Sequence, residues 1–234
     1  MVTKVVFVDI DGTLSYSCPD GSKVKTPSNP LVGILVERGL PLDEAEERGR
    51  QAEEEFAPTP GGVWPFGADR SLGIPDGMLA AYTVKGFRAR YAIYPDAKRF
   101  MLGLKALSGI RVYPATTNPR LFILGKLASG GLANETGSPV FDDSFGGEEV
   151  STGGKCGPGF YHALCARTGT EPAHCVMIGD DPLFDLDYAR AAGIERVFIV
   201  NRDQTECRRD GANGGIFVSA LDEALSFIKA ECET

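Results

Sequence analysis

The first predicted element of the chain is the stretch VVFVDIDGTL, residues 5–14. Its first four residues are apolar and mostly β-branched, which is typical of a buried strand, and the strand runs directly into Asp9. Asp9 and Asp11 place two like charges close together, which is costly unless a cation binds there or one acid keeps its proton. Either arrangement indicates a functional site. A solvated acidic turn is the alternative, because Asp-Gly is a common turn dipeptide.

Three further short apolar runs, at residues 110–115, 175–178 and 196–200, predict strands. They alternate with stretches that favour helices, at residues 97–107, 119–128, 157–166 and 183–192. This alternation predicts an α/β fold, in which a Rossmann-like parallel sheet built from right-handed β-α-β units is flanked by helices. In such a sheet the reactive groups are expected outside the carboxyl ends of the strands.

The alternation stops between residues 15 and 94, where no strand pattern is evident. Residues 30–38, 42–56 and 78–93 favour helices, so this insertion is predicted to be mostly helical. A stretch rich in glycine and proline, residues 59–77, joins the last two and contains the single tryptophan, Trp64. A connection of that length is usually functional or disordered. We therefore predict a core formed by residues 1–14 and 95–234 and a smaller helical unit at residues 15–94.

Composition narrows the classes of partner. The chain has 234 residues and a net charge of −8, and no block of lysine or arginine offsets that charge. Nucleic acid and anionic membranes are therefore not expected as partners. No apolar run approaches the roughly 18 residues of a membrane span, and the N-terminus lacks a signal-peptide pattern, so a cytoplasmic location is expected. The six cysteines form no CxxC pair and are predicted to be reduced thiols.

A second acidic cluster follows the strand predicted at residues 175–178. It contains Asp180, Asp181, Asp185 and Asp187. Acids at a helix N-terminus also oppose the helix dipole favourably, which is the alternative interpretation. In a parallel sheet, however, this cluster can face Asp9 and Asp11 across one crevice. Three converging carboxylates suit a hard divalent cation, and Mg²⁺ better than Ca²⁺.

Two weaker signals lie between the acidic clusters. Thr116, Thr117 and Asn118 follow the strand predicted at residues 110–115 and precede Pro119. Their side chains either bind an anion or cap the next helix. Lys155 follows a glycine-rich approach and precedes an apolar helix face, although an isolated lysine is usually solvated.

The order of these motifs resembles the haloacid dehalogenase-like (HAD) hydrolase superfamily. An acid pair follows the first strand, Thr117 and Asn118 follow a middle strand, Lys155 comes 38 residues after Thr117, and a GD-x4-D signature lies near the C-terminus. Stretches such as GDDPLFDLDYARAAGIERV are similar to the phosphoglycolate phosphatase and β-phosphoglucomutase branch. The sequence departs from the usual pattern in the glycine- and proline-rich segment of the insertion and in Cys156, where proline is commoner.

The resemblance implies a role for each acid. Asp9 is expected to be the nucleophile that forms an aspartyl phosphate, and Asp11 the general acid and base. Mg²⁺ is the implied cofactor, held by Asp9, Asp180 and the backbone carbonyl of Asp11. Asp185 is expected to orient Lys155 and metal-bound water rather than bind the metal, and Asp181 to act through water.

The resemblance also implies how the substrate is held. Thr117 and Asn118 are expected to bind the phosphoryl oxygens, and Lys155 to neutralise both the phosphate and Asp9. The insertion at residues 15–94 would be an α-helical cap over the catalytic face, of the kind that excludes water on closure.

These implications predict a Mg²⁺-dependent phosphatase acting on a small phosphorylated metabolite. A phosphomutase shares every one of these residues and differs only in the acceptor of the phosphoryl group. Dehalogenase and phosphonatase activities are disfavoured because neither chemistry needs Asp11. A catalytically silent binding module is the alternative from another class, although it would usually have lost the nucleophile. A monomer and a homodimer are both compatible with the sequence.

Overall fold

The structure is a computed structural model that describes residues 5–18, 29–55, 71–75, 77–151, 154–203, 208–209 and 214–232. In chain order the strands are β1 (Val5–Val8), β2 (Ser15–Ser17), β3 (Tyr91–Ile93), β4 (Arg111–Pro114), β5 (Cys175–Gly179), β6 (Arg196–Val200), β7 (Arg208–Arg209) and β8 (Ile216–Val218). The α-helices of the described residues are α1 (Pro30–Glu37), α2 (Leu42–Glu55), α3 (Met78–Arg90), α4 (Pro95–Lys105), α5 (Arg120–Ala128), α6 (Pro158–Thr168), α7 (Tyr188–Ala191) and α8 (Leu221–Cys232).

Six of the strands form one sheet in the order β4-β1-β5-β6-β8-β7. All neighbours in it are parallel except β7, which runs antiparallel to β8 at the edge. The first strand is central, since Val5 pairs with Arg111 on one side and with Cys175 on the other. The end of β1 is therefore flanked by the ends of β4 and β5, which are the strands that precede the other predicted site residues.

Successive residues of β1 point into different halves of the core because side chains alternate along a strand. Val6 and Val8 belong to a cluster packed by helices α4, α5 and α8, which contribute residues such as Phe100, Ile123 and Leu225. The other half surrounds Val5 and Phe7 and is packed by α6, the segment after β5, and α7; it includes Phe160, Tyr161, Leu164, Leu186 and Ala189. Helices on both faces explain why β1 is apolar throughout.

The insertion leaves the core at β2 and returns at β3, and these two short strands pair antiparallel. Helix α1 begins at Pro30, after Asn29 accepts hydrogen bonds from the amides of Leu31 (2.9 Å) and Val32 (3.3 Å). Helix α3 packs closely on α5, since a Cβ placed on Gly125 would lie 2.7 Å from Cβ of Phe87. One face of the insertion is therefore in contact with the core helix α5.

The predicted α/β fold with a parallel sheet flanked by helices is confirmed. The strand and helix predictions agree with the structure to within a few residues at each end, with two exceptions. Tyr91–Ile93, predicted as the end of a helix, is a strand, so the expectation of an insertion without strands was wrong. The helix predicted at residues 183–192 begins as a π-helix at Pro182–Asp187.

Some predictions concern residues that the structure does not describe. Trp64 and most of the 59–77 stretch lie outside the described part, as does Cys207. The other five cysteines are free thiols. Among the described residues, no helix combines the length and apolar character needed to cross a membrane.

Candidate active site

Asp9 stands at the carboxyl end of β1, in the centre of the sheet. Its amide donates to the carbonyl oxygen of Ile178 (2.9 Å), which extends the pairing of β1 with β5 by one residue. Its side chain is buried, and Lys155 Nζ donates to its Oδ1 at 2.8 Å. Lys155 also forms an ion pair with Asp185. These three residues come from distant parts of the sequence and form one buried charged group.

The loop that follows β5 is organised by Asp185, which is 1% exposed. Its Oδ2 accepts hydrogen bonds from the backbone amides of Asp180 and Asp181, both at 3.0 Å. A Cβ on Gly179 would lie 2.1 Å from Cγ of Asp185, so only glycine permits this close approach. The hydroxyl of Tyr161 donates to Asp185 Oδ1 at 3.4 Å. Asp185 therefore fixes both Lys155 and the backbone that carries Asp180.

Asp180 meets the first acidic motif, as the parallel sheet predicts. Thr13 Oγ1 donates to Asp180 Oδ1 at 3.0 Å and lies 3.5 Å from Asp9 Oδ2. Gly12 has a φ of +75°, and a Cβ there would lie 2.0 Å from Asp180 Oδ2. Glycine at position 12 thus provides both the turn after Asp11 and the space for the Asp180 carboxylate.

The electrostatics of this group follow from its burial. Burial raises the pKa of Asp9 to about 7, with the Lys155 ammonium acting in the opposite direction. Burial lowers the pKa of Lys155, but the charges of Asp9 and Asp185 outweigh it and the net shift is upward. Burial also raises the pKa of Asp180. Lys155 is therefore cationic at neutral pH, and a further cation would favour ionisation of the neighbouring carboxyl groups.

Thr116, Thr117 and Asn118 form a turn after β4. The hydroxyl of Thr116 accepts hydrogen bonds from the amide (3.2 Å) and the side-chain Nδ2 (2.7 Å) of Asn118. The carbonyl of Asn118 accepts from the amide of Gly147 at 2.9 Å. Helix α5 begins only at Arg120, so Pro119, expected at its first position, precedes the helix and no side chain caps it there. The turn thus presents Thr117 and Asn118 toward the end of the sheet.

Asp11 is oriented by a residue that the sequence analysis did not identify. Lys126, on helix α5, donates to both carboxylate oxygens of Asp11 at 2.7 Å and to Asn118 Oδ1 at 2.9 Å. Asn118 Nδ2 donates to Asp11 Oδ2 at 2.6 Å. The signal in the sequence was a lysine inside the otherwise apolar stretch LFILGKLA, residues 121–128. The role of this lysine becomes evident only when the structure places α5 beside Asp11.

A second unanticipated residue supports the loop that follows Asp11. The guanidinium of Arg202, just after β6, donates to the carbonyl oxygens of Gly12 and Thr13, both at 2.9 Å. It also lies 3.6 Å from the centre of the Tyr94 ring. Arg202 therefore connects two places in the chain. Gly12 and Thr13 lie where the chain leaves the core for the insertion, and Tyr94 lies where the chain returns to the core after β3.

The predicted site residues surround one cavity of about 380 Å³ at the carboxyl end of the sheet. Its described lining consists of Asp9, Asp11, Thr116, Thr117, Asn118, Lys155, Cys156, Asp180, Asp181, Phe184 and Asp185. Every residue predicted for catalysis, substrate binding or metal binding is in this set. Asp181 faces the backbone, where its Oδ1 accepts from the amides of Leu183 (2.8 Å) and Phe184 (2.9 Å).

The donor set fits Mg²⁺. Asp9, Asp180 and Asp185 each offer a carboxylate oxygen, and these atoms lie within 4.8 Å of one another. Hard oxygen ligands of this kind are those that Mg²⁺ prefers. Asp185 already holds two amides and Lys155, which suits its predicted role as an organiser. The side chain of Asp11 is directed to Lys126, so a contribution from Asp11 to the metal depends on its backbone carbonyl and stays a prediction.

A central parallel strand ends in a buried aspartate, with a lysine and further acids around it, so the chain is an α/β protein with an acidic cavity at the carboxyl edge of its sheet, where ligands bind in such folds. The sequence matches the model of the haloacid dehalogenase-like hydrolase family over residues 3–193, and the chain belongs to that family. A search of curated protein sequences found no match.

Solved structures are similar to the chain over almost its full length. A 2-haloacid dehalogenase from Pseudomonas syringae pv. Tomato DC3000 has 16% identity and a TM-score of 0.60, covering 98% of this chain and 99% of its own. A HAD phosphatase from Thermococcus onnurineus has 21% identity and a TM-score of 0.53, with 97% and 98% covered. CbbY from Rhodobacter sphaeroides, in complex with phosphate, has 17% identity and a TM-score of 0.52, with 95% and 96% covered. Because the sequence identities are this low, the similarity shows only that these proteins share a fold.

Proposed function

We propose that the protein is a Mg²⁺-dependent phosphatase that hydrolyses the phosphomonoester of a small metabolite through an aspartyl phosphate on Asp9. The observation that carries the proposal is that Asp9 and Asp11 line one cavity in different environments. Asp9 is buried against Lys155, whereas the side chain of Asp11 is 50% exposed. A nucleophile and a proton-transferring acid need this kind of difference.

In the proposed first step an oxygen of Asp9 attacks phosphorus and the bond from phosphorus to the ester oxygen breaks. Asp11, in its protonated form, gives its proton to the departing oxygen, which leaves as a neutral alcohol. Lys155, which donates to Asp9 Oδ1, orients the nucleophile and offsets charge on the phosphoryl group. The products of this step are the alcohol and the aspartyl phosphate.

In the proposed second step a water molecule gives a proton to the Asp11 carboxylate and attacks phosphorus. The bond between phosphorus and Asp9 breaks, which regenerates the Asp9 carboxylate and releases inorganic phosphate. Asp9 and Asp180 would hold Mg²⁺ with the backbone carbonyl of Asp11, and the ion supplies positive charge that stabilises the charged phosphoryl oxygens. Thr117 would hold one of those oxygens, because it lines the cavity beside Asp9. Asn118 would hold another by giving up one of the two hydrogen bonds that its side-chain amide donates to Asp11 and Thr116.

We further propose that residues 15–94 form a cap over this cavity. Support comes from the two connections to the core, β2 and β3, which pair with each other close to the loop of residues 11–14. Helix α3 of the insertion also packs on α5, the helix that carries Lys126. An element so placed can limit the access of water to the aspartyl phosphate.

The test is phosphate release from a panel of aryl and sugar phosphates, with Mg²⁺ or with EDTA, by the wild type and by Asp9→Asn and Asp11→Asn. We expect turnover only with Mg²⁺ and a loss of roughly 10³-fold or more in each variant, since residues that act as a unit fail together. The aspartyl phosphate should be trapped in acid-quenched wild type and be absent from Asp9→Asn. Turnover by Asp9→Asn at the wild-type rate would reject the covalent route.

Two further arms distinguish the neighbouring activities. Halide release from 2-haloacids by a wild type that is inert toward phosphate esters would identify a dehalogenase. Transfer of the phosphoryl group to a sugar hydroxyl in preference to water would identify a phosphomutase. Inertness in every arm would favour the silent binding module.

A further inference from the structure

Lys126 is a buried lysine in the middle of an apolar helix. Its side chain is 4% exposed. Its Nζ has three hydrogen-bond acceptors: both carboxylate oxygens of Asp11, at 2.7 Å, and Asn118 Oδ1, at 2.9 Å. A buried ammonium is costly unless it is paired and fully hydrogen-bonded, and these acceptors meet that requirement.

Aromatic residues of the insertion shield this ammonium from solvent. Nζ of Lys126 lies 4.8 Å from the centre of the Tyr91 ring and 6.0 Å from that of Phe87. The ring faces attract a cation, and the two rings stack on each other at 5.2 Å. Lys126 is therefore held on one side by the insertion and directs its hydrogens to Asp11 on the other.

Among the described residues, the hydrogen bonds to the Asp11 side chain come from Lys126 and Asn118. Half of the Asp11 side chain is exposed, and Asp11 lies in a turn between Asp9 and Gly12. Lys126 holds both oxygens, and Asn118 Nδ2 holds Oδ2 at 2.6 Å. Both donors come from the segment after β4, which also provides Thr117 to the cavity. The direction of the Asp11 carboxyl group is thus set by this segment.

We infer that Lys126 is a positioning residue that aims Asp11 at the leaving oxygen of the substrate. The inference rests on the proposed function, because it assumes that Asp11 transfers the proton. Lys126 contacts the carboxylate oxygens of Asp11 and the side chain of Asn118, and its contribution to the reaction is the orientation that it gives Asp11.

The dependence of kcat/KM on the leaving group tests the inference. The assay uses saturating Mg²⁺ and a series of phosphate monoesters from dinitrophenyl through phenyl to alkyl. This series varies the need for proton transfer, because an acidic phenol leaves without a proton and an alcohol does not. For Lys126→Met we expect kcat/KM to fall by about 10- to 100-fold for alkyl esters and by less than about 3-fold for dinitrophenyl phosphate, because general acid catalysis contributes roughly 10²- to 10⁴-fold and Asn118 still holds one oxygen. The plot against leaving-group pKa should become steeper.

Several variants control for folding and charge. Methionine has a similar length and suits an apolar helix, and Asp11, which loses its partner, is half exposed to water. Lys126→Met is therefore expected to fold, which is checked by circular dichroism and urea unfolding. Lys126→Gln keeps an uncharged donor group and serves if the methionine variant does not fold, and Lys126→Arg should restore much of the wild-type slope. Lys229→Met removes an exposed lysine from α8, whose residues do not line the described cavity, and should leave the slope unchanged.

An unchanged slope in a folded Lys126→Met or Lys126→Gln would overturn the inference, since a merely structural role lowers all esters alike. A shallower slope would also overturn it, because Asp11 would then give its proton to the leaving oxygen more effectively without Lys126. Both results would leave the proposed function intact, provided that the wild type is active and Asp11→Asn is not. A wild type inactive toward every phosphate ester would reject the proposed function itself, and the inference with it.

Discussion

The substitution Gly12→Ala tests the contact between the two acidic loops. At this position φ is +75°, and an added Cβ would lie 2.0 Å from Oδ2 and 2.6 Å from Cγ of Asp180. Carbon and oxygen atoms that are not bonded do not approach this closely, so the Asp180 carboxylate must move. Gly109 is a matched control, because its φ is +80° and no atom of the described residues lies within 4 Å of a Cβ placed there.

The two variants share the cost of the backbone and differ in the contact. An L-residue in the left-handed region costs roughly 1–2 kcal/mol, which applies at both positions. At Gly12 the movement of Asp180 also breaks its hydrogen bond with Thr13, 3.0 Å long. A hydrogen bond to a charged group contributes about 1.5–3 kcal/mol. Gly12→Ala should therefore lower the free energy of unfolding by about 2.5–5 kcal/mol, and Gly109→Ala by about 1–2 kcal/mol.

Two measurements check this expectation. Urea unfolding monitored by circular dichroism gives the loss of stability in each variant. Titration of phosphatase activity with Mg²⁺ gives the apparent metal affinity, which should weaken by about 10- to 100-fold in Gly12→Ala, as for other changes that displace a ligand's support. Gly109→Ala should keep the wild-type affinity for Mg²⁺. If the two alanine variants lose equal stability and bind Mg²⁺ equally well, then glycine at position 12 is needed only for the backbone turn, and the assignment of Asp180 to this contact fails.

Two further predictions follow from the charged groups. Burial raises the pKa of Asp9 from 3.8 to about 7, so the folded protein binds this proton more tightly than the unfolded chain does. In EDTA the free energy of unfolding should therefore fall as pH rises from 4 to 7. Urea unfolding at several pH values measures this fall, which should be smaller in Asp9→Asn and should be reduced by Mg²⁺. A fall of equal size in Asp9→Asn would assign it to other groups. Arg202→Met removes two hydrogen bonds to the carbonyls of Gly12 and Thr13, so the free energy of unfolding should fall by about 2–4 kcal/mol and phosphatase activity should fall with it. Arg202→Lys should lose less stability and activity. Full stability in the methionine variant would show that the loop does not depend on Arg202.

The central strand and the acids that follow it could be predicted because their signals are local. Four apolar residues before Asp9 indicate a strand buried on both faces, and such a strand belongs to a parallel sheet. Parallel strands end at the same edge, which is enough to expect Asp180 near Asp9. The structure adds the details of this contact, such as the hydrogen bonds of Thr13.

The errors arise where the deciding contact is distant in sequence. Tyr91–Ile93 continues the helical pattern of α3 but pairs with Ser15–Ser17, more than 70 residues earlier. Its tertiary partner therefore overrides its local preference. Lys126 was missed for the same reason, since a lysine in an apolar helix has no evident role until Asp11 is known to lie beside it. Pairing across the fold decides both cases.

The charge of the cavity gives an independent argument for a bound cation. Five aspartates belong to its described lining, and Lys155 is the one cation among those residues. Lys126, which holds Asp11 from behind, is the second. With all five acids ionised the group carries about three negative charges, while a phosphomonoester brings up to two more. Mg²⁺ would remove two of them, and the protonated form of Asp11 that the first step needs would remove another. The charge on the rest of the chain matters less, because salt screens it beyond about 8–10 Å. Under the proposed function a phosphate would therefore enter this acidic pocket together with Mg²⁺, and this coupling is why Mg²⁺ dependence and phosphatase activity should stand or fall together.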